Sequence, residues 1–275
     1  MRRTTRFGGL LLAVALWAWP APGGAEQDPG LAELPPHAEA AVYPLLRELE
    51  ASDPELRAAA GRGLRELGPL AWPAVPALIR ALADPVRPVR VGAAGALGGV
   101  GPAAADAVPA LERALGDPHR FVRSWAAMAL SEIGPAAGRA TPALIAMLQD
   151  DSDNLRGRSW CVTALAAIAA EPDLAVPALI GALADPSVEV RAAAVLSLKH
   201  YGTEASARDA IPSLLAALQD PHWKVRGNAA CAIAKMGSGA VVARSPLEVA
   251  LRDDAEYVRN CAARALQALG LTQDR

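Results

Sequence analysis

The chain has 275 residues, 52% of them apolar but only 4% aromatic, and alanine and leucine supply most of the apolar content. That composition suits closely packed helices and argues against sheets, which favour β-branched and aromatic side chains. A formal charge of −2 makes a poor default nucleic-acid binder, and three cysteines are too few for a disulfide framework.

The first 25 residues are unlike the rest. Arg2, Arg3 and Arg6 form a basic start, an apolar run extends from Phe7 to Trp19, and Pro-Ala-Pro-Gly-Gly-Ala closes at Ala25. The pattern predicts a cleaved secretory signal peptide over 1–25. An uncleaved membrane anchor is the competing reading, but the apolar run falls short of the roughly 20 residues that span a bilayer. Cleavage removes three arginines and no acid, moving the formal charge to −5. The expected mature chain is periplasmic or secreted, with no stable membrane insertion. Pro29, Gly30, Pro35 and Pro36 predict a flexible leader over 26–37.

From about residue 38 onward one unit returns seven times. Its markers are Arg57, Arg90, Arg123, Arg158, Arg191, Arg226 and Arg259, spaced 33 or 35 residues apart. Pro44, Pro76, Pro109, Pro142, Pro177, Pro212 and Pro246 keep the same rhythm. So do Gly68, Gly101, Gly134, Gly202, Gly237 and Gly270, with Ala169 replacing glycine in the fourth copy. The period leaves room for two antiparallel helices and two tight turns, and neither helix buries its apolar face alone. The prediction is all-α, a right-handed α-solenoid of about seven two-helix units. Their bounds fall at about 38–68, 69–101, 102–134, 135–169, 170–202, 203–237 and 238–275.

Within a unit the outer helix comes first, and its proline costs little only in the first turn. An Asp-Pro turn follows, as in Asp53-Pro54, Asp84-Pro85, Asp117-Pro118, Asp185-Pro186 and Asp220-Pro221. The aspartate is expected to cap the inner helix and the proline to sit at its first position. Glycine eleven residues after the arginine ends that helix. The fourth copy departs most: Asp150-Asp151-Ser152-Asp153-Asn154 lengthens its turn and drops the proline. Those acids lack the closing glutamate of a calcium loop, so a solvated turn is expected and no metal.

The units read Val-Pro-Ala-Leu, then Leu-x-Asp-Pro-x-x-x-Val-Arg-x-x-Ala-Ala-x-Ala-Leu-x-x-x-Gly, most clearly from Val75 to Gly101 and from Val176 to Gly202. This pattern resembles the HEAT-repeat family, specifically the HEAT-like repeats named for phycobilisome lyases, over most of the chain. The resemblance implies the solenoid. It leaves function open, since the family spans scaffolds, transport factors, bilin lyases and some DNA-repair glycosylases, and it carries no family-wide catalytic residue.

Counted from each arginine, offsets −1, +3, +4, +7 and +10 are apolar or small, as in Val122, Ala126, Ala127, Leu130 and Ile133, and should pack. Offsets −2, +2, +5 and +9 should line the concave groove. That places Phe121, Trp125, Met128, Arg156, Trp160, Leu196, His200, Lys224 and Lys235 in a candidate binding groove. Large apolar residues at its centre suggest a platform for a peptide or helix. The alternative is that solenoid curvature buries them between inner helices. The repeated arginines are expected to form a structural Asp–Arg ladder tying neighbouring turns.

The four histidines share no ligand spacing. Cys161 falls at a packing offset, while Cys231 and Cys261 fall at groove offsets in adjacent copies, where a disulfide needs unusually close helices. No catalytic fingerprint occurs. The expected function is a non-enzymatic protein-interaction or scaffold module, monomeric, taking a protein or peptide but no cofactor and no nucleic acid. A HEAT-like lyase or other enzyme-associated factor, and a structural spacer in an envelope assembly, are the alternatives.

Overall fold

The computed structural model describes residues 36–150, 155–201 and 206–271. The expected signal peptide, most of the expected leader, Asp151 to Asn154 of the long turn, and Gly202 lie outside them. Leu34–Arg275 forms one compact unit. Among the described residues there is no strand, and fourteen α-helices fall into seven outer–inner pairs. These are α1 Pro36–Leu49 with α2 Pro54–Leu67, α3 Val75–Ala81 with α4 Arg87–Val100, and α5 Val108–Ala114 with α6 Arg120–Ile133. Then come α7 Thr141–Leu148 with α8 Leu155–Ile168, α9 Pro172–Ala182 with α10 Val188–His200, α11 Ile211–Ala217 with α12 Trp223–Ile233, and α13 Arg244–Ala250 with α14 Glu256–Ala268. The architecture is an all-α solenoid. Its first helix begins at Pro36, two residues inside the expected leader.

Pro76, Pro109, Pro142 and Pro212 sit in the first turn of α3, α5, α7 and α11. A 3-10 segment precedes each of these four helices, for example Gly101–Ala107 before α5. The proline thus meets no α-helical carbonyl four residues back, which removes its steric penalty. In α1 and α9 the outer helix is continuous and Pro44 and Pro177 lie inside it.

The Asp-Pro turn works differently from its sequence reading. Asp53 does cap α2, accepting from the Glu55 amide at 2.9 Å, with Pro54 in the first turn. In later units the helix starts two residues further on. Asp84, Asp117, Asp185 and Asp220 instead accept from the amides of Val86, His119, Ser187 and His222, each at 2.8 Å. These are Asx turns, which brace the loop and leave the cap position to the residue two further on. His119 and His222 supply it through Nδ1, and Ser187 through Oγ.

The predicted packing offsets form the core. Offsets +3 and +7, from Ala60 and Leu64 through Ala262 and Leu266, are buried in all seven units. The exceptions fall at the ends, where Leu56 is 45% exposed and Ala263 is also exposed. Ala263 has no further unit against it. Offset +6 is also buried, in Ala96, Ala129, Ala164, Ser197, Ala232 and Ala265, and was not anticipated. It faces the neighbouring inner helix, as Ala129 does against Gly98. Small residues there let successive inner helices approach closely.

The repeated arginines bridge units. Arg57 binds Asp84 at 2.8 Å, Arg90 binds Asp117 at 2.7 Å, and Arg158 binds Asp185 at 2.8 Å. Arg191 binds Asp220, and Arg226 binds Asp253, both at 2.7 Å. Each carboxylate belongs to the following unit, 27 or 29 residues on. The same guanidinium also holds its own turn: Arg191 Nη1 donates to the Asp185 carbonyl at 3.0 Å, and Arg123 to the Asp117 carbonyl at 2.9 Å. Among the described residues, Arg259 makes only the latter type of contact, to the carbonyls of Asp253 and Asp254. The aspartate six residues earlier therefore offers its carbonyl, not its carboxylate.

Gly68, Gly101, Gly134 and Gly270 adopt φ between +58° and +74°, and Ala169 adopts +50° at the equivalent place in the fourth unit. A Cβ in that region costs about 1–2 kcal/mol, against a glycine penalty of about 0.5–1 kcal/mol in the unfolded chain. Ala169→Gly is expected to stabilise the solenoid by roughly 0.5–1 kcal/mol. A thermal melt checks this, and an unchanged or lower midpoint would contradict it.

Candidate functional site

The inner helix α4 carries glycine at offsets +2, +5, +8 and +9, namely Gly92, Gly95, Gly98 and Gly99. On one side this brings backbones together: a Cβ on Gly61 of α2 would meet the Gly92 carbonyl carbon at 2.9 Å. On the other side it leaves a trough that α6 fills. The Trp125 ring lies 3.4 Å from where a Gly95 Cβ would be, and the Met128 methyl lies 2.9 Å from the Gly98 position. Residues at offsets +2 and +5 therefore lean back over the preceding inner helix.

The central side chains lie between the two expectations. Trp125, Met128 and Trp160 are half-buried, and the two tryptophans pack against the core from its edge. They are neither a free platform nor sealed between helices. Phe121 and Leu196 are exposed, at 42% and 48%.

Two adjoining hollows flank Trp125. The larger, about 370 Å³, is lined by Arg62, Arg65, Arg87, Phe121, Trp125 and Arg156, together with Pro88, Val91 and Gly92. The smaller, about 270 Å³, is lined by Ser124, Trp125, Met128, Arg156 and Trp160. Of the expected groove residues, the fold brings together Phe121, Trp125, Met128, Arg156 and Trp160. It does not bring Leu196, His200, Lys224 or Lys235 to either hollow. Those four are exposed further along the array. Lys224 lies 5.6 Å from the Trp223 ring centroid, and Trp223 meets Tyr257 edge-on at 5.7 Å.

The hollows are basic. The Arg65 guanidinium stands 5.1 Å from the Trp125 centroid and that of Arg120 stands 5.3 Å from Phe121, both within cation–π range. Arg87 Nη1 lies 2.9 Å from His119 Nε2, while His119 Nδ1 receives the Phe121 amide at 3.3 Å and so fixes the start of α6. Partial desolvation and the Arg87 charge hold His119 below the ordinary imidazole range. A neutral ring has one acceptor nitrogen, so it serves Phe121 or Arg87 but not both.

A further depression of about 700 Å³ lies between α13 and the Leu218–Pro221 turn that follows α11. Its charged lining includes Asp220, Arg226 and Asp253, which are already committed to the ladder. Cys231 and Cys261 are free thiols. Cys231 and Cys261 do not form the disulfide weighed from their spacing. Both sulfurs face the Arg264 guanidinium, at 3.6 and 3.3 Å, and burial pushes the Cys231 thiol up to about 11.

Arg62 stood among the groove offsets without being singled out, and Arg65 and Arg87 were missed altogether. The signal that would have found them was the run of glycines in α4. Where four facing positions lose their side chains, neighbours from both sides must close the gap.

Inner helices stacked in register, with arginines joining successive units at five junctions, define an α-solenoid of helical repeats. The HEAT repeats family matches residues 75–166, 141–210 and 211–274, and the chain belongs to that family. Among solved structures, it is similar to an engineered protein from the Northeast Structural Genomics Consortium, with 25% identity and a TM-score of 0.66. That match covers 83% of this chain and 68% of the other. It is also similar to the complex of CpcE and CpcF of phycocyanin lyase from Nostoc sp. PCC7120, with 26% identity and a TM-score of 0.53, over 90% of this chain and 92% of that one. No curated protein matches the chain in sequence.

Proposed function

We propose that this HEAT-repeat protein is a non-enzymatic interaction scaffold that takes a protein or peptide on the concave side of its second to fourth units. The observation that carries this reading is the strip formed by Phe121, Trp125, Met128 and Trp160 on two successive inner helices, beside two hollows. Tryptophan, methionine and arginine are the side chains most enriched at binding hot spots. HEAT repeats in general present such surfaces to protein partners. Loss of binding in a Trp125→Ala, Trp160→Ala variant that still folds tests the proposal.

The likeness to the CpcE and CpcF complex supports a second reading, in which the chain is an enzyme-associated factor of the lyase type. Detection of bilin attachment to an acceptor protein in the presence of the purified chain would favour it over the scaffold.

The proposed location is the periplasm or the exterior, on the strength of Arg2, Arg3, Arg6, the apolar run to Trp19 and Ala25. N-terminal sequencing of the exported form is expected to begin at or near Glu26. A mature chain that keeps Met1 in the cytosol contradicts it.

A further inference from the structure

Arg62, Arg65, Arg87 and Arg156 converge on one hollow, and none has a carboxylate partner among the described residues. The contrast with the ladder is sharp: Arg57, Arg90 and Arg158, on the same helices, each hold an aspartate within 2.8 Å. The four groove guanidiniums instead meet an aromatic ring (Arg65), an imidazole (Arg87), or solvent. Together they line a hollow that they share with Trp125, Phe121, Val91 and Gly92. Four like charges around one hollow raise its potential, and the formal charge of the whole chain is negative, so this is a local feature and not a property of the surface.

We infer that this hollow binds an acidic peptide segment carrying one large apolar side chain. The apolar side chain enters beside Trp125, and carboxylates on either side of it engage Arg62 and Arg65 toward the first unit and Arg87 and Arg156 toward the second and fourth. A guanidinium fork matches a carboxylate in two parallel hydrogen bonds, which gives orientation as well as attraction. The half-buried Trp125 supplies the apolar contact without having to leave the core edge. The inference rests on the reading of the concave face as an interaction surface and adds the chemistry of the partner.

The test measures binding of the purified chain to four fluorescein-labelled probes of equal length. One is a peptide of glutamates around a central leucine. The second replaces the glutamates with lysines, the third replaces the leucine with serine, and the fourth is a single-stranded oligonucleotide. The glutamate–leucine peptide is expected to bind tightest, to weaken at least tenfold as salt rises from about 50 to 300 mM, and to weaken at least tenfold in Arg65→Glu, Arg156→Glu. Arg113→Glu, on the exposed side of α5, is expected to leave it within about twofold. A circular dichroism melt of each variant verifies folding, and Arg62→Ala, Arg87→Ala serves if charge reversal unfolds the chain. Equal or tighter binding of the lysine peptide or the oligonucleotide overturns the inference, as does failure of the glutamate peptide to bind. If the lysine peptide binds best and does so through Trp125, the acidic assignment falls while the interaction surface stands; if the serine peptide binds as tightly as the glutamate–leucine peptide, the apolar anchor falls.

Discussion

Arg191→Ala is expected to lower folding stability by about 3 kcal/mol, the largest effect of any single substitution considered. The Arg191 and Asp220 side chains are only 14% and 8% exposed, and the guanidinium makes two bonds to the carboxylate and two to carbonyls of its own turn. Removing one partner of a buried pair leaves an uncompensated charge, which costs about 3–5 kcal/mol, and the partial access of this pair to water places it at the lower end. For a chain of this size that lowers the melting midpoint by roughly 6–12 °C. Replacing both partners with apolar residues, as in Arg191→Met, Asp220→Leu, is expected to cost much less, because no stranded charge remains. The pH dependence has a definite sign. Burial pushes Asp84 and Asp220 up, but their paired guanidiniums and turn amides outweigh it and leave both carboxyls below the usual range. A carboxylate depressed in the folded state contributes stability that is complete well above its unfolded value, about 3.9, and is lost as pH falls through the folded value. The Arg191→Ala deficit should accordingly shrink in acid. A deficit that is absent at pH 7, or that grows as pH falls, contradicts this account of the ladder.

Trp125→Ala combined with Trp160→Ala is expected to weaken partner binding by about thirtyfold or more, which is about 2 kcal/mol. It should also lower stability, though by less than a fully buried pair would. A core tryptophan truncated to alanine costs about 3–5 kcal/mol, and these rings are half-buried, so about 1–2 kcal/mol each is expected. Binding is therefore measured well below the lowered midpoint, by titration of the glutamate–leucine peptide, with Leu196→Ala as a comparison that should alter neither property appreciably. Unchanged binding in a folded double variant would remove the tryptophans from the site.

The sequence carried the period because the packing enforces it. A leucine at +7 and a small residue at +3 are needed wherever an inner helix meets its own outer helix and its neighbour, so Leu64, Leu97 and Leu130 recur on schedule. The end units relax the rule, and Leu56 and Ala263 are exposed there. What spacing within one unit does not encode is the distance to the next unit. Arg90 is six residues from Asp84 and 27 from Asp117, and only the rise of the solenoid decides that the second carboxylate is the partner. The same limit applied to the groove. Trp125 and Met128 sit at outward-facing offsets of their own helix, but the missing side chains of Gly95 and Gly98 on α4 draw them back into the seam. Arg65 and Arg87 lie off the four groove offsets and enter the hollow only through the juxtaposition of four units.

The central claim is that partners dock between the second and fourth units of the concave face. A photocrosslinking amino acid placed at Phe121, in the aromatic hollow, and separately at Val249, which is 63% exposed in the depression along α13, tests it in living cells. The account predicts a discrete higher-mass adduct from position 121 that disappears when Arg65→Glu and Arg156→Glu are added, and no adduct from position 249. An adduct from position 249 alone, or none from position 121, would contradict it.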